Sequence, residues 1–360
     1  MHIRNQKEFN PKSQIVSVII LIALLILTFV MVDSNMEDLS FQKLAGLLEY
    51  LHIEYILLSL LCLFGYIFFE GRAMAAASKP FGVQLGWLQS TKYAGIELYF
   101  SAITPSATGG QPALAYYMHK DGFKTSKSSA MLLVNTFHYT LSLVVMGVVV
   151  LAVQPSIRFH NDNALFMVLL VIGFAAHVGL LVVCLLLMFS HKLVFVLGDW
   201  GIRLLCFLHV FKSYNKKIEA YRASLETYKA CVQTAKKDPK MQAKVFLLNI
   251  CQRLCVFSIA YFIYLCLGNG DGSYWNILSI QVLSAISVNA LPLPGAVGAA
   301  EPVFLVLYAE LYDPATLGPA MLFTRFFSSY LCFILCGIVA IVNHIVLMKK
   351  RGEIVDDRRL

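Results

Sequence analysis

The stretch NILSIQVLSAISVNALPLPGAVGAAEPVFLVLYAELYD, residues 276–313, determines how the chain folds. Most of it is apolar enough to enter a membrane, but its centre is interrupted by Pro292, Pro294, Gly295, Gly298 and Pro302. A continuous helix would lose backbone hydrogen bonds at these prolines. Each half of the stretch is about half as long as a membrane-spanning helix. The stretch therefore predicts a helical hairpin that enters the membrane and leaves it on the same side.

A second stretch, YAGIELYFSAITPSATGGQPALAYYMHK at residues 93–120, has the same organisation. Its centre is interrupted by Pro105, Gly109, Gly110 and Pro112. In both stretches a Pro-x-x-x-Gly core is followed by a polar residue and a proline, with Gln111 in the first and Glu301 in the second. We therefore expect two re-entrant hairpins, at 88–120 and 275–313. In the alternative, proline and glycine only kink two full spans, which would put the basic loops on the wrong side.

The rest of the chain has the composition of a polytopic membrane protein. Of its 360 residues, 58% are hydrophobic and 14% are charged, and the mean hydropathy is +0.70. A soluble globule would be about half apolar and a quarter charged. Apolar runs long enough to cross a bilayer predict six full spans, at residues 15–32, 53–69, 128–153, 165–189, 245–267 and 317–347. The predicted fold class is all-α, with these six transmembrane helices and the two hairpins.

The charge of the loops predicts the orientation of the chain. Residues 203–244 carry ten Lys or Arg against three acidic residues, and basic residues also follow the last span. The positive-inside rule then places both termini in the cytoplasm. We expect a basic helical arm at 192–244 to lie partly on the anionic inner leaflet, with a solvated connector as the alternative. Topology already accounts for the net charge of +8, so no nucleic-acid partner is predicted.

With this orientation the two hairpins enter the membrane from opposite sides, as in an inverted repeat. The first follows the basic residues Arg72 and Lys79, and the second follows an outer loop that contains Asp271. The expected organisation is one transmembrane domain at 1–348, with repeats at about 53–153 and 245–348, and a cytoplasmic tail at 349–360. Irregular backbone at membrane depth must face protein or a water-filled cavity, and paired broken helices mark binding sites in transporters. The free amides where each second half-helix begins would suit an anionic ligand.

Charged residues inside apolar spans are costly and usually line a pathway or pair together. The predicted substrate-binding residues are Glu301, Arg325, Gln111, Glu97 and Arg253. The gate is expected to consist of the residues that break the hairpins: Pro105, Gly109, Gly110, Pro112, Pro292, Pro294, Gly295 and Gly298. For Glu301 and Arg325 the alternative is a structural ion pair. Glu70 is expected at the membrane interface without a special role, His138 and His177 as core residues, and neither metal nor cofactor is predicted.

Several of these residues resemble the motifs of a known family. The run Leu291-Pro292-Leu293-Pro294-Gly295 with Gly298, Glu301 and Arg325, together with Thr104-Pro105-Ser106 and Gly109-Gly110, is similar to the transmembrane, flippase-like region of bacterial lysylphosphatidylglycerol synthases, the multiple peptide resistance factors. The similarity extends over nearly the whole chain. Family members often have Glu in place of Gln111, Arg in place of Leu114 and an Asp-Arg pair near Asn135. The first repeat of this chain is therefore less charged than is typical.

This resemblance implies a protein of the bacterial cytoplasmic membrane that moves a phospholipid, aminoacyl-phospholipid, glycolipid or polyprenyl-phosphate between leaflets. The soluble domain that transfers an aminoacyl group is expected to be missing, so the chain is not expected to be an enzyme on its own. Two alternatives stay open: a phosphatidylglycerol lysyltransferase component acting in cationic peptide resistance, and an H⁺-coupled transporter of small solutes. The expected partners are membrane lipids and a separate synthase or glycosyltransferase, and an oligomer is compatible with the sequence.

Overall fold

The computed structural model describes residues 51–154, 164–207, 213–270 and 272–356, and these residues form helices and no strand. The α-helices in chain order are α1 Ile53–Ser78, α2 Trp87–Ala102, α3 Gly110–Lys120, α4 Thr125–Val153, α5 Ala164–Phe189, α6 His191–Phe207, α7 Tyr214–Lys236, α8 Pro239–Cys266, α9 Tyr274–Asn289, α10 Ala300–Tyr308, α11 Pro314–Arg325 and α12 Leu331–Asp356. Short 3-10 turns occupy Lys79–Phe81, Pro105–Ala107 and Pro294–Ala296, and a π-helical turn at Phe326–Tyr330 joins α11 to α12.

Five helical segments are long and apolar enough to cross a membrane: Ile53–Phe81, Thr125–Val153, Ala164–Phe189, Pro239–Cys266 and Pro314–Leu347. They correspond to five of the six predicted spans, and the sixth, at 15–32, lies outside the described residues. The prediction of an all-α polytopic membrane protein is confirmed. Two predicted boundaries were wrong, because α1 continues to Ser78 and α8 begins at Pro239. A proline in the first turn and Asp238, which accepts the amide of Met241 over 2.9 Å, start α8 early.

Helices α1 and α8 form an antiparallel pair at the centre of the fold. The amide of His52, which precedes α1, donates to the carbonyl of Cys266 at the end of α8 over 3.2 Å. Farther along, a Cβ on Gly65 would lie 2.9 Å from the Sγ atom of Cys255, so glycine lets the two helices approach closely. Because the pair is antiparallel, the segments that follow α1 and α8 begin at opposite ends of it. These segments are the two predicted hairpins.

Helices α2 and α3 fold back on each other as the first hairpin. At its open end the Lys92 Nζ atom lies 2.7 Å from an Asp121 carboxylate oxygen, and the Tyr93 hydroxyl donates to the same carboxylate over 2.6 Å. Near its closed end the Gln111 side chain donates to Glu97. Contacts at both ends show that α2 and α3 are antiparallel neighbours.

Helices α9 and α10 form the second hairpin, and α10 is the shorter of the two helices. The Tyr308 hydroxyl at the end of α10 donates to Gln281 Oε1 in α9 over 2.8 Å. The Tyr308 ring also stacks on Phe304 with 4.0 Å between ring centroids. Helix α5 packs along α9, where Gly173 meets the backbone of Ile286. Helix α9 also packs on α8. The second hairpin is therefore held between α5 and α8.

The predicted basic arm comprises α6 and α7, whereas residues 239–244 belong to α8. Helix α7 packs on the helix bundle through Ile218, Leu225, Tyr228, Cys231, Val232 and Ala235. The Tyr228 hydroxyl donates to the carbonyl of Leu187 over 3.1 Å, and burial raises the pKa of Tyr228 to about 12. Helix α6 differs, because Val196, Trp200 and Phe207 are exposed on it. The arm is thus one helix docked on the bundle and one with an exposed apolar face.

Candidate functional site

The closed ends of the two hairpins contact each other. We call the Pro105–Ala107 turn the first tip and the Pro294–Ala296 turn the second tip. The Ser106 Oγ atom donates to the carbonyl of Leu291, close to the second tip, over 3.3 Å. A Cβ on Gly295 would lie 3.7 Å from the carbonyl oxygen of Ala102. Two interruptions that lie far apart in the sequence are therefore neighbours in space.

The two tips also share an unusual backbone conformation. After the proline that opens each tip, φ is 49° at Ser106 and 58° at Gly295, and then 56° at Ala107 and 55° at Ala296. For a residue other than glycine this left-handed conformation costs roughly 1–2 kcal/mol. Such strain persists where the surrounding structure holds it, often at ligand sites and switches.

Replacing Ala107 or Ala296 by glycine should stabilise the protein by up to about 1 kcal/mol, because glycine adopts a positive φ without steric cost. Thermal unfolding in detergent measures the change. Ala115→Gly, in the interior of α3, is the matched control and should lose about 0.5–1 kcal/mol. Destabilisation of the tip variants to the same extent as Ala115→Gly would contradict a strained tip.

Glu301 and Arg325 form a buried ion pair beside the second tip. Arg325 Nε lies 3.1 Å from Glu301 Oε1, and the two side chains are 12% and 4% exposed. The two atoms are close but not aligned as a hydrogen bond. Arg325 also donates to the carbonyl of Gly295 over 3.0 Å and to Ser329 Oγ over 3.3 Å. The guanidinium therefore links α11 and the π-helical turn to the second tip.

The predicted free amides at the half-helix N-termini are in part already used. The amide of Gly298 donates to Glu301 Oε2 over 2.7 Å. In the first hairpin the amide of Gly109 donates to Thr104 Oγ1 over 2.8 Å. Both bonds satisfy N-terminal amides within their own hairpin, as helix caps do. These two amides are therefore not available to a ligand, and free amides near Gln111 and Glu301 stay a prediction.

Glu97 and Gln111 meet inside the first hairpin. The Gln111 amide donates to Glu97 Oε1, while Glu97 Oε2 is buried and makes no hydrogen bond with any described residue. Gly110 makes this approach feasible, because a Cβ there would lie 2.8 Å from the carbonyl oxygen of Glu97. Glu97 is 8% exposed. The hairpin thus encloses a carboxyl group with one unpartnered oxygen.

Arg253, another predicted site residue, lies apart from these two pairs. Its guanidinium donates to the carbonyl of Tyr139 over 2.6 Å and to Ser142 Oγ over 2.8 Å. Its guanidinium carbon lies 3.9 Å from the centroid of the Tyr139 ring. These contacts join α8 to α4. Among the described residues, Arg253 bonds neither Glu97 nor Glu301, so the structure does not bring the five predicted residues together in one cluster.

The sequence matches a known protein family. The family model described as "Lysylphosphatidylglycerol synthase TM region" matches residues 14–336, which is most of the chain. The chain belongs to the lysylphosphatidylglycerol synthase transmembrane family. Among curated proteins, none matches it. As a member of this family with five candidate spans among its described residues, it is a multi-pass integral membrane protein.

Glu70 lies in the core of this family member, whereas the sequence predicted that it lies at the membrane interface. It is 3% exposed, because α1 does not end at residue 69 but carries Glu70 into the core. Asn135 donates to it over 2.8 Å, and Gln252 donates to its other oxygen. Asn135 also accepts from Asn249 over 3.3 Å. The alanine-rich run 73–77 after Glu70 is apolar and was the signal that the helix continues.

Some of the described histidine and cysteine side chains of this family member pack within the helix bundle. His138 Nδ1 lies 2.8 Å from the carbonyl oxygen of Val134, and His177 Nδ1 lies 2.7 Å from that of Gly173. Both are bonds to the preceding helical turn; His138 is buried, so its prediction as a hydrogen-bonded core residue is confirmed, whereas His177 is half-buried. Within the described ranges, no three His, Cys, Asp or Glu residues are grouped as metal ligands, and the cysteines are free thiols.

Proposed function

We propose that this protein is a lipid translocase of the bacterial cytoplasmic membrane. The observation that carries the proposal is the contact between two strained hairpin tips next to a buried ion pair, Glu301 and Arg325. A polar group at this depth in an apolar bundle is costly unless it is used or satisfied. Ser106 and Gly295 act as the gate between the two hairpins, and the ion pair binds the headgroup. The family to which the chain belongs is consistent with a lipid as the substrate.

An inverted repeat explains how two such hairpins come to meet. The antiparallel contact of His52 with Cys266 makes the hairpins start at opposite ends of the α1 and α8 pair. The similar φ values at the two tips support the proposal of a repeat. Re-entrant insertion from opposite sides then brings both tips to the middle of the membrane, where helix breaks must face protein or water.

The chemistry of the ion pair suits a phospholipid headgroup. Arg325 offers a planar guanidinium, which binds phosphate oxygens in pairs. Glu301 offers a carboxylate that can accept the ammonium group of an aminoacylated headgroup. On entry, the phosphate would replace Glu301 next to Arg325, and the loss of one ion pair is offset by the formation of another. A headgroup that carries both charges satisfies both residues.

Contact with the inner leaflet is assigned to α6. Its exposed residues Val196, Trp200 and Phe207 form an apolar face, and Lys192 and Arg203 lie on the same helix. Such a helix lies in the membrane interface with its apolar face toward the acyl chains. The positive-inside rule then places this end of the protein, and both termini, in the cytoplasm.

Leaflet-resolved transport in proteoliposomes tests the proposal. Vesicles with a fluorescent phosphatidylglycerol in the inner leaflet should lose its protection from a membrane-impermeant quencher faster when the protein is present than in protein-free vesicles. Equal rates would contradict a translocase. The enzymatic alternative is tested separately, because lysylphosphatidylglycerol formed in cells that express only this chain would point to a transferase.

A further inference from the structure

The buried charges of the described residues do not balance. Three carboxyl groups, on Glu70, Glu97 and Glu301, are buried, but only two guanidinium groups, on Arg253 and Arg325, lie among them. Arg325 is paired with Glu301, whereas neither Glu70 nor Glu97 has a described cation within ion-pair distance. Glu70 accepts a hydrogen bond on each oxygen, from Asn135 and Gln252, but one oxygen of Glu97 accepts none. If every group were ionised, the interior would carry one uncompensated negative charge, and Glu97 would be the less favourable of the two carboxylates to hold it.

The surroundings of Glu97 favour the neutral acid. Gln111 donates to one of its oxygens, while the other oxygen has no hydrogen-bond partner. An unpaired polar atom in an apolar environment costs a few kcal/mol when the group is neutral and far more when it is ionised. Glu70 is buried on α1, which packs on α2, and a carboxylate there repels a negative charge on Glu97. A bound proton removes the charge.

Among the described side chains of the elements packed on α2, no cation forms an ion pair with Glu97, and this includes Arg72 of α1. Helix α12 faces α2 with Phe333 and Val339, and its titratable groups near this contact are the thiols of Cys332 and Cys336. Farther along α12, His344 contacts the Tyr117 hydroxyl of α3 at 3.4 Å. The second tip contributes backbone at Gly295. Among these described groups, the Glu70 carboxylate is therefore the one whose negative charge acts on Glu97.

Two hydroxyl groups lie between Glu97 and the first tip. Ser101 is one turn beyond Glu97 on α2, Thr104 follows the end of α2, and both are partly buried. They lead to the exposed residues of the first tip, Pro105–Ala107. Hydroxyl groups placed between a buried carboxyl group and exposed backbone can pass a proton between them, by way of water.

The geometry points to Glu97 as a proton-binding site that couples lipid movement to a proton gradient. This inference rests on the proposed function and supplies its energy source. An anionic headgroup adds a negative charge to a site that the Glu301–Arg325 pair leaves neutral. A proton on Glu97 prevents a second negative charge nearby, so the headgroup binds to the protonated site and the two cross together. On release, Glu97 returns its proton to water at the first tip, and the carboxylate is then reprotonated from the other side.

Transport driven by an imposed pH gradient tests this coupling. With one proton per lipid, each pH unit should shift the leaflet ratio of a fluorescent phosphatidylglycerol about tenfold toward the alkaline side. The Glu97→Gln variant keeps the neutral shape but cannot exchange the proton, so its leaflet ratio should not respond to the gradient. Glu97→Asp should restore part of the response. Glu54→Gln makes the same chemical change at an exposed carboxylate and should behave as the unmodified chain does.

A second measurement does not depend on transport. The infrared spectrum of the purified protein at neutral pH should contain the carbonyl band of a protonated carboxylic acid, and Glu97→Gln should remove it while Glu54→Gln keeps it. A spectrum without this band would overturn the proton site. If the unmodified protein moves lipid but ignores the gradient, the proton coupling is wrong and the translocase stands. If it moves no lipid at all, both are wrong.

Discussion

Arg325→Gln should reduce lipid transport roughly tenfold to hundredfold, because a charge-assisted contact to the headgroup is worth about 1.5–3 kcal/mol. The same change leaves Glu301 as a buried carboxylate without a cation. Loss of one partner from a buried ion pair costs about 3–5 kcal/mol, and both side chains are largely buried here. Transport rates in proteoliposomes and thermal unfolding in detergent measure the two effects.

A double variant separates binding from stability. In Glu301→Gln with Arg325→Gln no unpaired charge remains, and the glutamine oxygen can still accept the Gly298 amide. The double variant should regain most of the free energy of unfolding that Arg325→Gln loses, since neutral replacement of a buried pair is often tolerated. Transport should stay low. Recovery of both together would mean that the pair is a structural link and not a headgroup site. Glu54→Gln, at an exposed carboxylate, controls for the loss of charge alone.

Sequence reasoning located the hairpins because their signals are local. Pro105 and Pro294 cannot continue a helix, and their surroundings are apolar, so the breaks could be predicted from a few residues. The ion pair of Glu301 with Arg325 was the alternative to a headgroup site, since both are charged residues inside apolar segments. Local signals of this kind are sufficient to predict the all-α fold class and the candidate residues Glu301 and Arg325.

What the sequence could not provide was which polar groups meet across the fold. Gln111 was predicted as a substrate-binding residue, and its side chain bonds Glu97 within its own hairpin. Arg253 was grouped with the headgroup residues, yet it is bonded to Tyr139 and Ser142 between α8 and α4. These partners depend on how helices distant in sequence rotate against one another, and hydropathy does not record that rotation. Glu70 was misplaced because a charged residue lowers local hydropathy although the helix continues.

Gly173→Ala should destabilise the protein by about 1–3 kcal/mol, the usual cost of overpacking a well-packed contact. A Cβ at this position would lie 2.0 Å from the carbonyl oxygen of Ile286 in α9. Backbone atoms of a helix cannot move aside singly, so α5 and α9 must separate, and α9 belongs to the second hairpin. Lipid transport should therefore fall as well, although Gly173 is bonded to no residue of the ion pair. Thermal unfolding in detergent and transport in vesicles report the two changes.

Gly179→Ala is the matched control for this prediction. It makes the same change two turns along α5, where a Cβ would meet nothing within 4 Å. Alanine is the better helix former, so this variant should gain up to about 1 kcal/mol and transport lipid normally. Similar stability for both variants would show that packing of α5 on α9 does not support the second hairpin. A loss of transport in Gly173→Ala alone would instead show that this packing is needed to keep the second tip in contact with the first tip. Helix α5 would then be part of the gate.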